Sequence, residues 1–96
     1  MKESKFQANL IKKLKSRFQG CTVIKNDSHY IQGICDLIIL YNNRWAMLEV
    51  KQNASSSVRP NQAYYVKRFG KMSYASFIYP ENEEEVLNEL ERSFKS

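Results

Sequence analysis

The sequence predicts a small mixed α/β domain, in which one β-sheet is flanked by helices. Three observations predict it: an amphipathic helical stripe near the N-terminus, two apolar runs that meet at an Asn-Asn pair, and a later alternation of helix and strand patterns. The 96 residues suffice for one core, so we expect a single domain spanning residues 1–96. The 43% hydrophobic and 12% aromatic content excludes a disordered chain.

The first element is a helix at about residues 3–19. Phe6, Leu10 and Leu14 recur every four residues, which is the apolar stripe of an amphipathic helix. Gly20 follows as a helix stop. The apolar run that comes next predicts a strand near residues 21–25, and the polar residues 26–28 predict a turn.

The hairpin at residues 36–51 is the strongest structural signal in the chain. Its two apolar runs meet at Asn42-Asn43, and asparagine tolerates the positive φ of a two-residue turn. With that turn, Asp36 faces Glu49 across the two strands. A turn of three or four residues would displace these two carboxylates from each other.

The second half of the chain alternates between helix and strand. A polar loop with three consecutive serines covers residues 52–59, and Pro60 suits the first turn of a helix over residues 60–69 that Gly70 ends. A strand at residues 74–79 and an acidic helix at 82–94 complete the order. The result is a small mixed sheet with helices on its faces.

The charge distribution favours nucleic acid as a partner. The formal net charge is +5, and seven of the ten acidic residues lie from Glu49 onward, which leaves the first half strongly basic. No apolar run approaches the roughly 20 residues of a membrane span. The polar N-terminus lacks the apolar centre of a signal peptide, so we expect a cytoplasmic protein that does not bind membranes.

Few residues are available for zinc binding or for histidine-based catalysis. Cys21 and Cys35 are the only cysteines, and their spacing fits small buried thiols rather than a metal site. His29 is the only histidine, and we expect it in a loop or at a strand edge.

The carboxylates of the hairpin are the candidate functional residues. Asp36, Glu49 and Lys51 share one face of the predicted sheet, and like charges placed opposite each other destabilise it. A divalent cation would remove the repulsion, and oxygen ligands suit magnesium or manganese. The alternative is that both acids are exposed residues at strand ends, with Lys51 as an ion-pair partner.

The segments Gly33-Ile-Cys-Asp36 and Glu49-Val-Lys51 together resemble the PD-(D/E)xK nuclease superfamily. The pattern is most similar to the small, often phage-borne VRR-NUC nucleases, which are related to Holliday-junction resolvases. The resemblance extends from Glu3 to about Tyr79 and implies a restriction-endonuclease-like core. Cys35 stands where the family usually has proline, which is a departure in chain shape rather than in chemistry.

The resemblance implies a catalytic metal site. Asp36 and Glu49 would bind Mg²⁺, with Mn²⁺ able to substitute, and the main-chain carbonyl of Val50 would add a third oxygen. Lys51 would be the catalytic lysine.

Two further residues match the family pattern. Glu3 is the only candidate for the acid that family members carry on the first helix and would be a further metal ligand, whereas a capping box at residues 4–7 would leave it in a frayed tail. Gln62 matches a glutamine that is typical of the next helix, and it is the fourth catalytic candidate.

The implied activity is metal-dependent endonucleolytic hydrolysis of DNA, either structure-selective (four-way junction or flap) or non-specific. RNA remains open as a substrate, and the alternative function is a non-catalytic nucleic-acid-binding module on the same fold. A four-way junction would require a homodimer, for which Tyr30, Tyr41 and Trp45 are candidate interface residues. A phage-encoded protein would act in the host-cell cytoplasm. Candidate DNA-binding cations are Lys12, Lys13, Arg44, Arg59 and Lys67.

Overall fold

The computed structural model describes residues 2–95, which form three helices and four strands. In chain order these are α1 (Glu3–Arg17), β1 (Thr22–Lys25), β2 (Leu37–Tyr41), β3 (Arg44–Val50), α2 (Pro60–Met72), β4 (Tyr74–Ile78) and α3 (Glu83–Lys95).

The four strands form one mixed sheet in the order β1-β2-β3-β4. Strands β1, β2 and β3 are antiparallel neighbours, whereas β4 lies parallel to β3. The parallel pair is connected through α2, because two parallel strands need a crossover rather than a tight turn. The mixed sheet with helices on its faces confirms the predicted fold class.

The hairpin has the predicted register. Leu37 pairs with Leu48 and Leu40 pairs with Trp45. Asn42 has a φ of 55°, as a two-residue turn requires at its first position. The next facing position beyond Leu37 and Leu48 belongs to Asp36 and Glu49.

One face of the sheet packs against α1 and α3 and holds the hydrophobic core. The predicted stripes of both helices are buried there, and Leu10, Leu14 and Leu90 have no exposed surface. The sheet contributes the alternate residues of its central strands, which are Leu37, Ile39, Ala46, Leu48 and Val50.

Ion pairs join α1 to α3 at the surface of this layer. Lys13 Nζ lies 2.8 Å from Glu83 Oε1, and Arg17 Nε lies 3.1 Å from Glu91 Oε1. The acidic residues of α3 thus neutralise part of the positive charge of α1. Lys13, one of the predicted DNA-binding cations, pairs with Glu83 within the protein.

The opposite face of the sheet packs against α2, which covers β3 and β4. Trp45 contacts the ring of Phe69 edge to face, and Tyr65 stacks on Phe69. Tyr41 packs against Phe94 on the other side of the sheet. Of the three aromatic residues considered for a dimer interface, Tyr41 and Trp45 therefore pack within the domain. Tyr30 is 85% exposed.

The helix α2 is longer than predicted, because it continues through Gly70 to Met72. Gly70 lacks the positive φ of a helix stop, and the end is set by the Ser73 N–H that donates to the Phe69 carbonyl. Glycine inside a helix costs only about 1 kcal/mol relative to alanine. Packing of α2 against β4 outweighs this cost, so Gly70 as the end of the helix was a wrong prediction.

Gly33, in the segment before β2, packs against Asn61 in the first turn of α2. Its replacement is expected to destabilise the protein strongly. Gly33 has a φ of +86°, and a Cβ atom there would lie 2.5 Å from Asn61 Cγ. The left-handed backbone alone costs an alanine about 1–2 kcal/mol. Gly33→Ala should therefore lower the free energy of unfolding by about 2 kcal/mol or more, measured by urea denaturation.

Gly20→Ala is the matched control, because Gly20 has a φ of +89° and no atom within 4 Å of the added Cβ. Gly20→Ala should lower the free energy of unfolding only by the cost of the left-handed backbone. Equal losses in the two variants would contradict a close packing of Gly33 against Asn61.

Candidate metal-binding site

The two carboxylates of the hairpin lie together where the strand pairing of β2 and β3 ends. The Asp36 N–H donates to Glu49 Oε1 at 3.1 Å, and the Val50 N–H donates to Asp36 Oδ2 at 2.8 Å. These two hydrogen bonds join side chain to backbone just beyond the last residue pair of the hairpin. The turn at Asn42 thus fixes the relative position of Asp36 and Glu49 through the register of the strands.

Glu49 is buried, so it is not an exposed residue at a strand end. It is 3% exposed and is the one buried polar or charged residue among residues 2–95. Burial, and to a smaller extent the neighbouring Asp36 carboxylate, raise the pKa of Glu49 to about 8, whereas Lys51 opposes the shift. A cation at this position would stabilise the charged form.

Glu3 reaches the same cleft. The helix α1 begins at Glu3 without a side-chain cap, so the capping box proposed for residues 4–7 does not form. Glu3 lines a cavity of about 350 Å³ together with Asp36, Glu49 and Lys51. Burial and the Asp36 charge raise the pKa of Glu3, and Lys51 lowers it.

The donor set fits a hard divalent cation with an incomplete protein shell. Within residues 2–95, no three His, Cys, Asp or Glu side chains converge closely enough to form a metal site by themselves. Asp36 and Glu49 would hold an ion together with main-chain or water oxygens. Magnesium suits such a site, because it usually keeps several waters and binds one or two carboxylates.

Lys51 is held beside the carboxylates by two acceptors. Its Nζ donates to Gln62 Oε1 at 2.7 Å and to the Ser57 carbonyl at 3.0 Å. Gln62 Oε1 also accepts the Arg59 N–H at 3.0 Å. Gln62 therefore connects the lysine to the first turn of α2, and the position of the ammonium group depends on that helix.

The sequence did not predict that His29 and Gln32 lie at the site. His29 and Gln32 line a second cavity of about 310 Å³ that also contains Asp36 and Glu49. The segment is compact, because the Asp27 carbonyl accepts the N–H of Tyr30 and the Asp27 carboxylate accepts that of His29. The polar turn signal at residues 26–28 was visible, but it did not indicate where the following residues point.

The predicted DNA-binding cations are not gathered in one place. Arg59 lines both cavities of the site. Lys67 borders a separate surface groove on α2 with Arg68 and Lys71. Arg44 lies at the far end of β3 from Glu49, five residues or roughly 17 Å away along the strand. Lys12 is exposed on α1.

The pKa of Glu49 predicts how pH and metal affect stability. The folded protein holds a proton that the unfolded chain releases near its ordinary pKa, so the free energy of unfolding should fall as the pH rises from about 4.5 to about 8. One such group contributes up to about 1.4 kcal/mol per pH unit. Urea denaturation in EDTA measures the effect, and saturating Mg²⁺ should reduce it.

Glu49→Gln is the control for this experiment, because glutamine does not ionise. The difference in stability between wild type and Glu49→Gln should change with pH in EDTA. A difference that stays constant from pH 5 to 8 would contradict the raised pKa.

Comparisons with known proteins show the fold. No protein-family model and no curated protein sequence matches the chain. The structure is similar to a solved structure described as a VRR_NUC domain protein, with a TM-score of 0.71 and 16% sequence identity. The match covers 99% of this chain and 89% of that chain. The predicted VRR-NUC-like, restriction-endonuclease-like fold is thereby confirmed.

No helix in residues 2–95 is long and apolar enough to cross a membrane.

Proposed function

We propose that this chain is a metal-dependent endonuclease that hydrolyses phosphodiester bonds in DNA. The observation that carries the proposal is the pair formed by the buried carboxylate of Glu49 and the half-buried carboxylate of Asp36, with Lys51 on the same face of the sheet. Ionising Glu49 at this buried position beside the Asp36 carboxylate is costly without a compensating cation. Its place on a VRR-NUC-like fold supports nuclease chemistry as the reason for that cost.

Asp36 and Glu49 are proposed to bind Mg²⁺, with Mn²⁺ as a substitute and the Val50 carbonyl as a third ligand. The bound ion supplies an activated water and charge stabilisation on a phosphate oxygen. Glu49 would hold the ion as a carboxylate, so binding of the ion would favour loss of the proton that burial favours. Glu3 lines the same cavity, where its carboxylate would supply a further oxygen for the ion or for a water beside it.

Lys51 is proposed to act on the scissile phosphate. Its ammonium group is fixed by Gln62 and Ser57 beside the carboxylates, where it can hold the attacking water or neutralise charge on the phosphate. Arg59 lines both cavities of the site and is proposed to bind a neighbouring phosphate.

The cations away from the site are proposed to bind the DNA backbone. Contacts of this kind position a nucleic acid without reading its sequence, so the proposed cutting is structure-selective or non-specific. For a four-way junction the proposal includes a homodimer, because two sites are needed. Ile24 and Leu40, which are 44% and 39% exposed on the part of the sheet that α2 leaves open, are candidate contacts.

The test is cleavage of labelled linear duplex, single strand, flap and four-way junction in Mg²⁺, Mn²⁺ or EDTA. Asp36→Asn is the matched inactive variant, because it preserves the shape of the side chain. Cleavage that needs metal and disappears in Asp36→Asn supports the nuclease. Tight DNA binding without cleavage in any metal would favour the second candidate, a non-catalytic nucleic-acid-binding module.

A further inference from the structure

A groove of about 410 Å³ lies beside the carboxylate pair, on the α2 side of β4. Its walls come from the loop at residues 53–58, from α2 and from β4. The side chains that line it include Lys51, Ser56, Val58, Val66, Phe77 and Tyr79.

The groove lies next to the candidate metal site and shares two lining residues with it. Phe77 pairs with Glu49 in the parallel ladder of β3 and β4, so both side chains point to the same face of the sheet. Neighbouring strands lie about 4.8 Å apart, which places the groove one strand away from the carboxylates. Lys51 and Ser56 line both the groove and the cavity that contains Asp36 and Glu49.

The groove combines aromatic and apolar surface with polar side chains. Phe77 and Tyr79 are aromatic and partly exposed, and Val58 and Val66 are apolar residues of the same lining. Aromatic side chains next to a phosphate-binding site are the usual surface on which nucleic-acid bases stack.

The polar side chains of the groove are already engaged within the protein. Asn82 accepts the Tyr79 N–H and donates to the Phe77 carbonyl, and Ser76 Oγ donates to the same carbonyl. Asn53 Oδ1 accepts hydrogen bonds from the loop that it begins. These side chains hold the walls in place, so the groove has little means to distinguish one base from another.

We infer that this groove takes the base of an unpaired nucleotide whose phosphate lies at the carboxylate pair. The inference rests on the proposed function, and it names the substrate class as DNA with unpaired nucleotides at the cleavage point. A base inside a continuous duplex is stacked and paired, so it reaches the groove only where the duplex is open, as in a single strand, a flap or a branch. Recognition of this kind is independent of sequence.

The experiment measures binding in EDTA, so that it does not depend on cleavage. The probes are a single-stranded oligothymidylate that carries one 2-aminopurine and a blunt duplex of the same length. Wild type should quench the fluorescence of 2-aminopurine on binding, because the base stacks on an aromatic ring. Phe77→Leu should lose this quenching and bind the single strand at least about fivefold more weakly, with duplex binding unchanged.

Phe69→Leu is the matched control, because Phe69 lies on the same side of the sheet but contacts Trp45 and Tyr65 instead of the groove. It should bind and quench as wild type does. Val58→Glu is a second variant, at a loop position that is 47% exposed, so folding should be retained. It should also weaken single-strand binding.

Two outcomes would overturn the inference: equal affinity of wild type for single strand and duplex, or unchanged quenching in both Phe77→Leu and Val58→Glu. Failure of the proposed function looks different. Groove-dependent single-strand binding with no cleavage in any metal would leave the inference standing and reject the nuclease. Metal-dependent cleavage, with single-strand binding unchanged in Phe77→Leu and Val58→Glu, would support the nuclease and reject the inference about the groove.

Discussion

Glu49→Gln is expected to reduce metal-dependent cleavage by at least about a thousandfold, or ~4 kcal/mol of transition-state stabilisation. Glutamine has the shape of glutamate but lacks the negative charge that would hold the ion. The same substitution removes the charge repulsion with Asp36, so the metal-free protein at pH 8 should become more stable. Single-turnover cleavage and urea denaturation in EDTA measure the two effects.

The opposite directions of these effects distinguish a functional carboxylate from a structural one. A residue that only supported the fold would lose stability and activity together when replaced. Glu85→Gln is the control, because Glu85 is exposed on α3 and carries the same change of charge. Cleavage by Glu49→Gln within tenfold of wild type would reject Glu49 as a metal ligand.

Lys51→Met is expected to lower the cleavage rate by about a hundredfold to ten-thousandfold, which is the range for loss of a positioned proton-transfer or charge-stabilising group. Methionine keeps the apolar part of the side chain and loses the ammonium group that Gln62 and Ser57 hold. Binding of Mg²⁺ should be retained, because Asp36 and Glu49 are intact. Calorimetric titration of Mg²⁺ and single-turnover cleavage separate these two properties.

Lys95→Met removes the same charge from an exposed position at the end of α3 and should leave cleavage unchanged. If Lys51→Met were to lose metal binding as well as cleavage, the lysine would have to support the carboxylates rather than the reaction. Wild-type cleavage in Lys51→Met would reject its role altogether.

The hairpin and its carboxylates were predictable because they depend on local rules. A two-residue turn at Asn42 sets the register of β2 and β3, and strand alternation then assigns Asp36 and Glu49 to one face. The stripes of α1 and α3 were predictable for the same reason, since a period near 3.6 residues is visible within one helix.

The rest of the site depends on contacts that no short stretch of sequence specifies. The pairing of Phe77 with Glu49 follows from a crossover through α2, whose length and packing set the register of the parallel strands. The approach of His29 and Gln32 to the carboxylates depends on a loop whose conformation is held by Asp27. The length of α2 was missed because packing outweighed the local preference of Gly70.

The hairpin has a further consequence for the order in which the chain folds. Only 13 positions separate Asp36 from Glu49, and local hairpins form within about 1–10 μs, whereas the β3–β4 pairing requires the longer crossover through α2. The carboxylates of Asp36 and Glu49 thus come together while water still solvates them. The free-energy cost of their charge repulsion increases only when α2 packs onto the sheet. Stopped-flow refolding of Glu49→Gln in EDTA should therefore be faster in this later step, and an unchanged rate would place the burial of Glu49 after the folding barrier.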